Sequence, residues 1–136
     1  MLSWGLRYVT ALVVLVGLDA LWLGLVAQGM FRQALGDLLL DAPRWGAAGL
    51  FYLLYALGVV VFVVQPALRT HSWLAALGYG ALFGFLAYMT YDLTNLTTIR
   101  VWTVRLAATD MAWGAVLTAL AAAASFGVAA WVTKDS

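Results

Sequence analysis

The stretch "LRYVTALVVLVGLDALWLGLVAQ", residues 6–28, decides the fold class of this chain. A helix needs roughly 20 apolar residues to cross the hydrocarbon core of a bilayer, and this stretch has that length. It is too long for the apolar region of a signal peptide, it carries Asp19, and it lacks a small-x-small cleavage pattern. We therefore predict a retained transmembrane helix.

The composition of the whole chain agrees with a membrane protein. Of its 136 residues, 65% are hydrophobic and 10% are charged, and the mean hydropathy is +0.97, whereas about 25% of residues are charged in soluble domains. The net charge is +1 and the basic residues are scattered singly, so nothing favours nucleic acid as a partner. The chain has no cysteine, which excludes disulfides, thiolate metal sites and cysteine nucleophiles.

Four segments are long and apolar enough to span a bilayer, and we predict an all-α fold, a transmembrane four-helix bundle forming a single domain over residues 1–136. The predicted spans are Trp4–Gln28, Ala47–Gln65, Trp73–Tyr91 and Leu106–Val132. Both termini then lie on one side of the membrane, called side A, and the loops after the first and third spans lie on side B. Basic residues occur on both sides, so the positive-inside rule does not choose an orientation. Gly80 and Gly84 favour close helix packing within the bundle over a dimer face.

The loop between the first two spans predicts a short interfacial helix. In "MFRQALGDLLLDAPRW", residues 30–45, apolar side chains at Phe31, Leu35, Leu38 and Leu39 are separated by charged ones, and Pro43 is expected to end the helix. Tryptophans mark the predicted span ends, where indole rings prefer the headgroup level. They are Trp4, Trp73 and Trp131 on side A, and Trp45 and Trp102 on side B.

Three aspartates fall in or beside the spans, all in the side B half: Asp19, Asp92 and Asp110. A charged aspartate near the bilayer centre costs about 2.5–3.5 kcal/mol on insertion scales, so it is expected to face protein, water or a ligand. Two of them begin Asp-x-x-Trp units, "DALW" and "DMAW", in antiparallel spans, which raises the hypothesis of an inverted repeat. The simpler alternative is structural: Asp19 bonds to hydroxyls across helices, and the other two cap helix ends.

Residues three or four apart share a helix face, and on that basis we predict one pocket walled by the first, third and fourth spans. An indole ring there offers an N–H donor to a buried carboxylate and a flat apolar wall. The predicted ligand-binding residues are Asp19, Trp22, Tyr88, Tyr91, Asp92, Asn95, Asp110 and Trp113.

The chain resembles a bacterial family of small predicted membrane proteins, domain of unknown function 2177. The resemblance rests on "LDALWLG", "FYLLYALGVVVFVVQPAL", "GALFGFLAYMTYDLTNLTTIRVW" and "TDMAWG", with "TYDLTN" the most specific part, and covers nearly the whole chain. It implies a four-span protein of the bacterial inner membrane but no activity. The family motif residues correspond here to Asp19, Trp22, Tyr91, Asp92, Asn95, Asp110, Trp113 and Gly114.

Three functions are compatible with this pattern. The first is binding or transport of a cation, an amine or a lipid headgroup in the carboxylate-lined pocket, with a homodimer needed for transport because four short helices make a small transporter. The second is a lipid-modifying enzyme, in which two aspartates with Asn95 hold a divalent cation and Tyr88 or Tyr91 acts as the acid. The third is a structural or accessory subunit without a ligand. The sequence identifies no cofactor, and His71, the only histidine, lies on side A.

Overall fold

The structure, a computed structural model, describes residues 2–40 and 44–135, with side chains described for residues 3–40 and 44–132. Within these residues the fold is all-helical, and four helical segments are long and apolar enough to cross a membrane, which confirms the predicted number of spans. Spans 1 to 4 are Ser3–Leu38, Trp45–Arg69, Trp73–Thr98 and Val104–Val132.

Span 1 extends well beyond its predicted end. Helix α1, Leu2–Trp22, continues through one π turn at Leu23–Ala27 into α2, Gln28–Leu35, and a 3₁₀ turn at Gly36–Leu38. The separate interfacial helix is therefore not confirmed, because its residues continue span 1 without a break. No proline interrupts this stretch, and the helix ends where Gly36 adopts a positive φ of 54°, a conformation that glycine adopts without strain. Pro43 lies outside the described residues.

A second π turn divides span 2 into α3, Trp45–Val59, and α4, Gln65–Arg69, with the turn at Val60–Val64. Spans 3 and 4 are the uninterrupted helices α5, Trp73–Thr98, and α6, Val104–Asp135. A π turn inserts one residue into the helical repeat and is often found near functional sites. The first π turn directly follows Trp22, and the second lies in the buried centre of the bundle.

Spans 3 and 4 pack most closely, through glycines. A Cβ atom on Gly80 would lie 2.9 Å from the Cα of Ala119, and one on Gly84 would overlap the carbonyl oxygen of Gly114 and the side chain of Thr118. Close contact of this kind is what small residues provide in lipid. The predicted role of Gly80 and Gly84 in packing within the bundle is confirmed.

Span 4 lies between spans 1 and 3, and span 2 joins the other three through its π turn. The first half of span 2, helix α3, packs on span 1 but stands apart from span 3. Side chains rather than backbones meet across this gap. For example, the ring centroids of Tyr55 and Phe83 lie 5.7 Å apart. The gap positions a cavity in the side B half of the bundle.

The outer surface is apolar, as expected of a lipid-facing bundle, and Trp45, Trp73 and Trp131 are exposed. Trp102 is the exception among the predicted interface tryptophans, because only 6% of its surface is exposed. The ring packs edge-on against Phe31 of the span 1 extension and Tyr91 of span 3. Trp102 does lie in the side B loop as predicted, but the extension of span 1, which the sequence analysis did not foresee, covers its ring.

Candidate functional site

A cavity of about 380 Å³ lies in the side B half, and all four spans contribute to it. Its wall is mostly aromatic, with two carboxyl groups. The lining residues are Asp19, Trp22, Leu23, Phe31, Phe51, Tyr55, Ala87, Tyr88, Tyr91 and Asp110. Span 2 supplies Phe51 and Tyr55, although the sequence analysis assigned the walls to spans 1, 3 and 4 alone.

Asp19 is held by donors from two other spans. One oxygen, Oδ1, accepts a hydrogen bond of 2.9 Å from the indole Nε1 of Trp113 on span 4. The other, Oδ2, accepts the hydroxyl of Tyr52 on span 2. Through these two hydrogen bonds, one side chain ties spans 1, 2 and 4 together. The expected alternative, in which Asp19 bonds across helices, therefore describes part of its role.

The two Asp-x-x-Trp units meet, but only one of their tryptophans bonds to the aspartate of the other unit. The indole rings of Trp22 and Trp113 stack with centroids 4.7 Å apart and planes within 5°. Trp113 donates to Asp19 of the other unit, whereas the N–H of Trp22 is buried with no hydrogen-bond partner among the described residues. A symmetrical inverted repeat would pair Trp22 with Asp110, so the contacts do not follow that hypothesis.

Gly114 makes room for one wall of the cavity. A Cβ atom at this position would overlap the ring of Tyr88, so the glycine lets the tyrosine ring approach span 4 closely. The neighbouring Tyr55 is held from the same span, with its hydroxyl 2.7 Å from the Oγ1 of Thr118. The aromatic wall is thus fixed by small and polar residues of span 4.

Asp92 lies behind the cavity and is completely buried, with 0% of its surface exposed. The carboxyl group of Asp110 and the indole N–H of Trp102 lie beside it, yet neither oxygen of Asp92 makes a hydrogen bond of good geometry to any described side chain or backbone group. The N–H of Trp102 likewise has no partner in that part of the chain. Among the described residues, Asp110 is therefore the carboxyl group that both lines the cavity and contacts Asp92.

Neither aspartate caps a helix. The hydroxyl of Thr103 caps span 4 by accepting the backbone N–H of Leu106 at 3.0 Å, and Asp110 lies further inside the helix. Span 3 continues past Asp92 to Thr98. The capping alternative is wrong because both helices extend further toward side B than their hydropathy suggested.

Most of the predicted site residues come together. The lining includes Asp19, Trp22, Tyr88, Tyr91 and Asp110. Trp113 stands behind the wall, Asp92 behind Asp110, and Asn95 is half-buried outside the lining. Across the described residues there is no group of three histidine, cysteine, aspartate or glutamate side chains arranged to hold a metal ion. The functional roles of the predicted residues stay predictions.

The sequence analysis missed the aromatic residues of span 2, above all Tyr52 and Tyr55. A signal was present, because these tyrosines are three residues apart on one helix face in an otherwise apolar span, at the depth of Asp19. Their hydroxyl groups need partners in lipid. The polar partners are Asp19 and Thr118.

The chain matches a family model described as "Predicted membrane protein (DUF2177)" over residues 4–127. No curated protein and no solved structure matches the chain. The match covers spans 2 and 3 completely, most of spans 1 and 4, and every residue that lines the cavity. This chain therefore belongs to the DUF2177 family of predicted membrane proteins and is an integral, multi-pass membrane protein.

Proposed function

We propose that the protein binds an organic cation, an amine or a quaternary ammonium group, in the side B cavity. The observation that carries this proposal is the composition of the cavity wall: the carboxyl groups of Asp19 and Asp110 open into a space otherwise bounded largely by aromatic rings. Aromatic faces attract a cation by about 0.5–2 kcal/mol each, and rings arranged as a cage are the usual recognition device for quaternary ammonium ligands.

The charges support a cationic ligand rather than an anionic one. No lysine, arginine or histidine occurs among the described residues that line the cavity. Because Asp19 already accepts two hydrogen bonds from the protein, Asp110 is the carboxyl group left to face a ligand. We assign the ammonium group to Asp110, with Tyr88 and Tyr91 as the nearest aromatic walls on span 3.

The gap between helix α3 and span 3 gives the cavity a path toward the bilayer. Phe51 and Tyr91 line the cavity and are themselves 45% and 50% exposed on the outer surface. An ammonium group could therefore arrive on a lipid headgroup from the side or on a small molecule from water. Both sources present the same positive charge to the same carboxyl group.

Titration calorimetry on the protein in lipid nanodiscs tests the proposal, with choline as the soluble probe. One set of nanodiscs contains only phosphatidylglycerol, and a second set adds phosphatidylethanolamine. We expect choline to bind in the first set. If the natural source is a lipid headgroup, binding weakens in the second set, because the headgroup competes for the cavity.

The variant Asp110→Asn keeps the size of the side chain and removes its charge, and we expect it to lose choline binding. Asp37→Asn is the matched control, because Asp37 is an exposed residue on the 3₁₀ turn and does not line the cavity. Equal choline affinity in the wild type and in Asp110→Asn would contradict the proposal, as would no choline binding in phosphatidylglycerol nanodiscs.

A structural or accessory role is the second candidate, and the bonds of Asp19 favour it. Its two donors join spans 1, 2 and 4, which is what a residue needed only to lock the bundle would do. This role predicts that Asp19→Asn and Asp110→Asn both lower the thermal stability and that neither changes any ligand binding. No comparable observation favours the lipid-modifying enzyme, which stays a prediction.

The cellular setting is also a proposal. A helical rather than a barrel architecture suits the bacterial inner membrane. Span 1 has 36 residues, about 54 Å of helix at 1.5 Å per residue, whereas the hydrocarbon core is about 30 Å thick. We therefore propose that its end, residues 28–38, extends into the headgroup region of side B, and that any transport function uses a homodimer of this single domain.

A further inference from the structure

We propose that Asp92 and Asp110 share a proton, and that a cation entering the cavity competes with this proton for Asp110. The inference rests on the proposed function and names how that function is regulated: binding of the cation is coupled to release of a proton. It assigns a role to Asp92, a residue that cation binding alone does not use.

The first step of the argument is the surroundings of Asp92. Its side chain has no exposed surface, and no described group donates a hydrogen bond of good geometry to either of its oxygens. An ionised carboxylate buried in this way, with the indole N–H of Trp102 beside it but no counter-ion, would carry a desolvation cost of several kcal/mol per ion. A protonated carboxyl group avoids that cost and supplies its own donor.

The second step is the position of Asp110. Its carboxyl group lies beside Asp92 on one side and lines the cavity on the other. Two adjacent buried carboxyl groups share a proton because they do not both ionise without a cation between them. Asp110 therefore offers the same carboxyl group to the proton from behind and to the ammonium ion from the cavity.

The third step is the set of titratable and charged groups around the pair. Those that face Asp92 are Asp110 on span 4 and Tyr91 on its own span. Asp110 also faces Asp19 of span 1 and Tyr88 of span 3. The loop contributes Trp102, whose indole does not titrate. No basic side chain in the described part of the chain acts on Asp92, so the neutralising charge for the pair is a proton or an incoming cation.

The linkage between proton binding and cation binding sets the direction in which choline affinity changes with pH. A positive charge bound at Asp110 lowers the affinity of the pair for its proton, and by reciprocity the proton lowers the affinity for the cation. The proton leaves through the cavity to water as the ammonium ion enters. Choline should therefore bind more tightly as the pH rises, by up to about tenfold per pH unit across the range in which the pair loses its proton.

Two measurements test this on the whole protein in phosphatidylglycerol nanodiscs. The infrared carbonyl stretch of a protonated carboxyl group reports the shared proton without any ligand, and aspartate labelled with ¹³C assigns the band. Choline titrations in two buffers of different ionisation enthalpy measure the protons released on binding. We expect a band in the wild type that weakens when choline binds, with proton release in the same titration.

The variant Asp92→Asn removes the carboxyl group that shares the proton and leaves Asp110, the carboxyl group that lines the cavity, in place. We expect it to bind choline, to lack the infrared band, and to show little change of affinity with pH, whereas Asp37→Asn behaves like the wild type. Absence of the band in the wild type would overturn the shared proton, whether or not Asp92→Asn folds. A band that stays unchanged when choline binds would overturn the competition and leave the proposed function standing. If choline does not bind at all, the proposed function and the competition both fail, while the band still shows whether the pair holds a proton.

Discussion

Replacing Trp113 by phenylalanine isolates the hydrogen bond that holds Asp19. Trp22→Phe is the matched control, because the two indole rings stack on each other and both variants lose a similar part of that stack. The difference between them is the N–H group: that of Trp113 bonds to Asp19 at 2.9 Å, whereas that of Trp22 has no partner among the described residues.

The expected difference in the free energy of unfolding between the two variants follows from that single hydrogen bond. A hydrogen bond contributes about 0.5–3 kcal/mol in soluble proteins, depending on the partners, whereas bonds between helices in a membrane average about 0.6 kcal/mol and reach about 1.7 kcal/mol. Asp19 keeps its second donor, Tyr52, in either variant. We therefore expect Trp113→Phe to lower the free energy of unfolding by about 1–2 kcal/mol more than Trp22→Phe does.

Reversible unfolding in mixed detergent micelles measures this difference, with helix content followed by far-ultraviolet circular dichroism. Equal losses in the two variants would refute the reasoning, because the stacked ring and not the hydrogen bond would then carry the stability. A larger loss in Trp22→Phe would have the same meaning.

The remaining predictions concern packing and the second donor of Asp19. Gly114→Ala should cost about 1–3 kcal/mol of stability, the usual price of overpacking, and should displace Tyr88 from the cavity wall. Thermal denaturation measures this loss, with Gly17→Ala as the control, because a new Cβ atom at Gly17 meets nothing within 4 Å. Equal melting temperatures for the two variants would contradict the prediction for Gly114→Ala. Tyr52→Phe should lower stability by about 0.6–1.7 kcal/mol and shift the infrared band of the Asp19 carboxylate, and an unchanged band would show that the hydroxyl does not bind there.

The number of spans could be predicted because hydropathy is a local property, and each span satisfies the length requirement alone. Where span 1 ends could not be predicted in this way. Gly24 and Gly29 lower helix propensity and the polar residues after Gln28 resemble a loop, but the extension is stabilised by Phe31 and Leu35 packing against Trp102. That contact joins residues far apart in the chain, and the apolar period of the stretch does not reveal it.

The depth of the aspartates predicted part of the site, since Asp19 and Asp110 line one cavity. Depth alone does not fix the rotation of each helix about its axis, so the donation from Trp113 to Asp19 could not be foreseen. Tyr52 was missed for a related reason: tyrosine is common near membrane interfaces, and the spacing of Tyr52 and Tyr55 on one helix face does not show that Tyr52 reaches Asp19.

The face-to-face indoles of Trp22 and Trp113 give the protein an optical signal of its own. Two stacked indole rings with centroids 4.7 Å apart are close enough for their electronic transitions to couple, and the circular dichroism that results depends on the angle between the two ring axes. Trp22 is itself part of the cavity wall, so a ligand that shifts its ring changes the coupling. Occupancy of the cavity can therefore be followed in unlabelled protein by light alone.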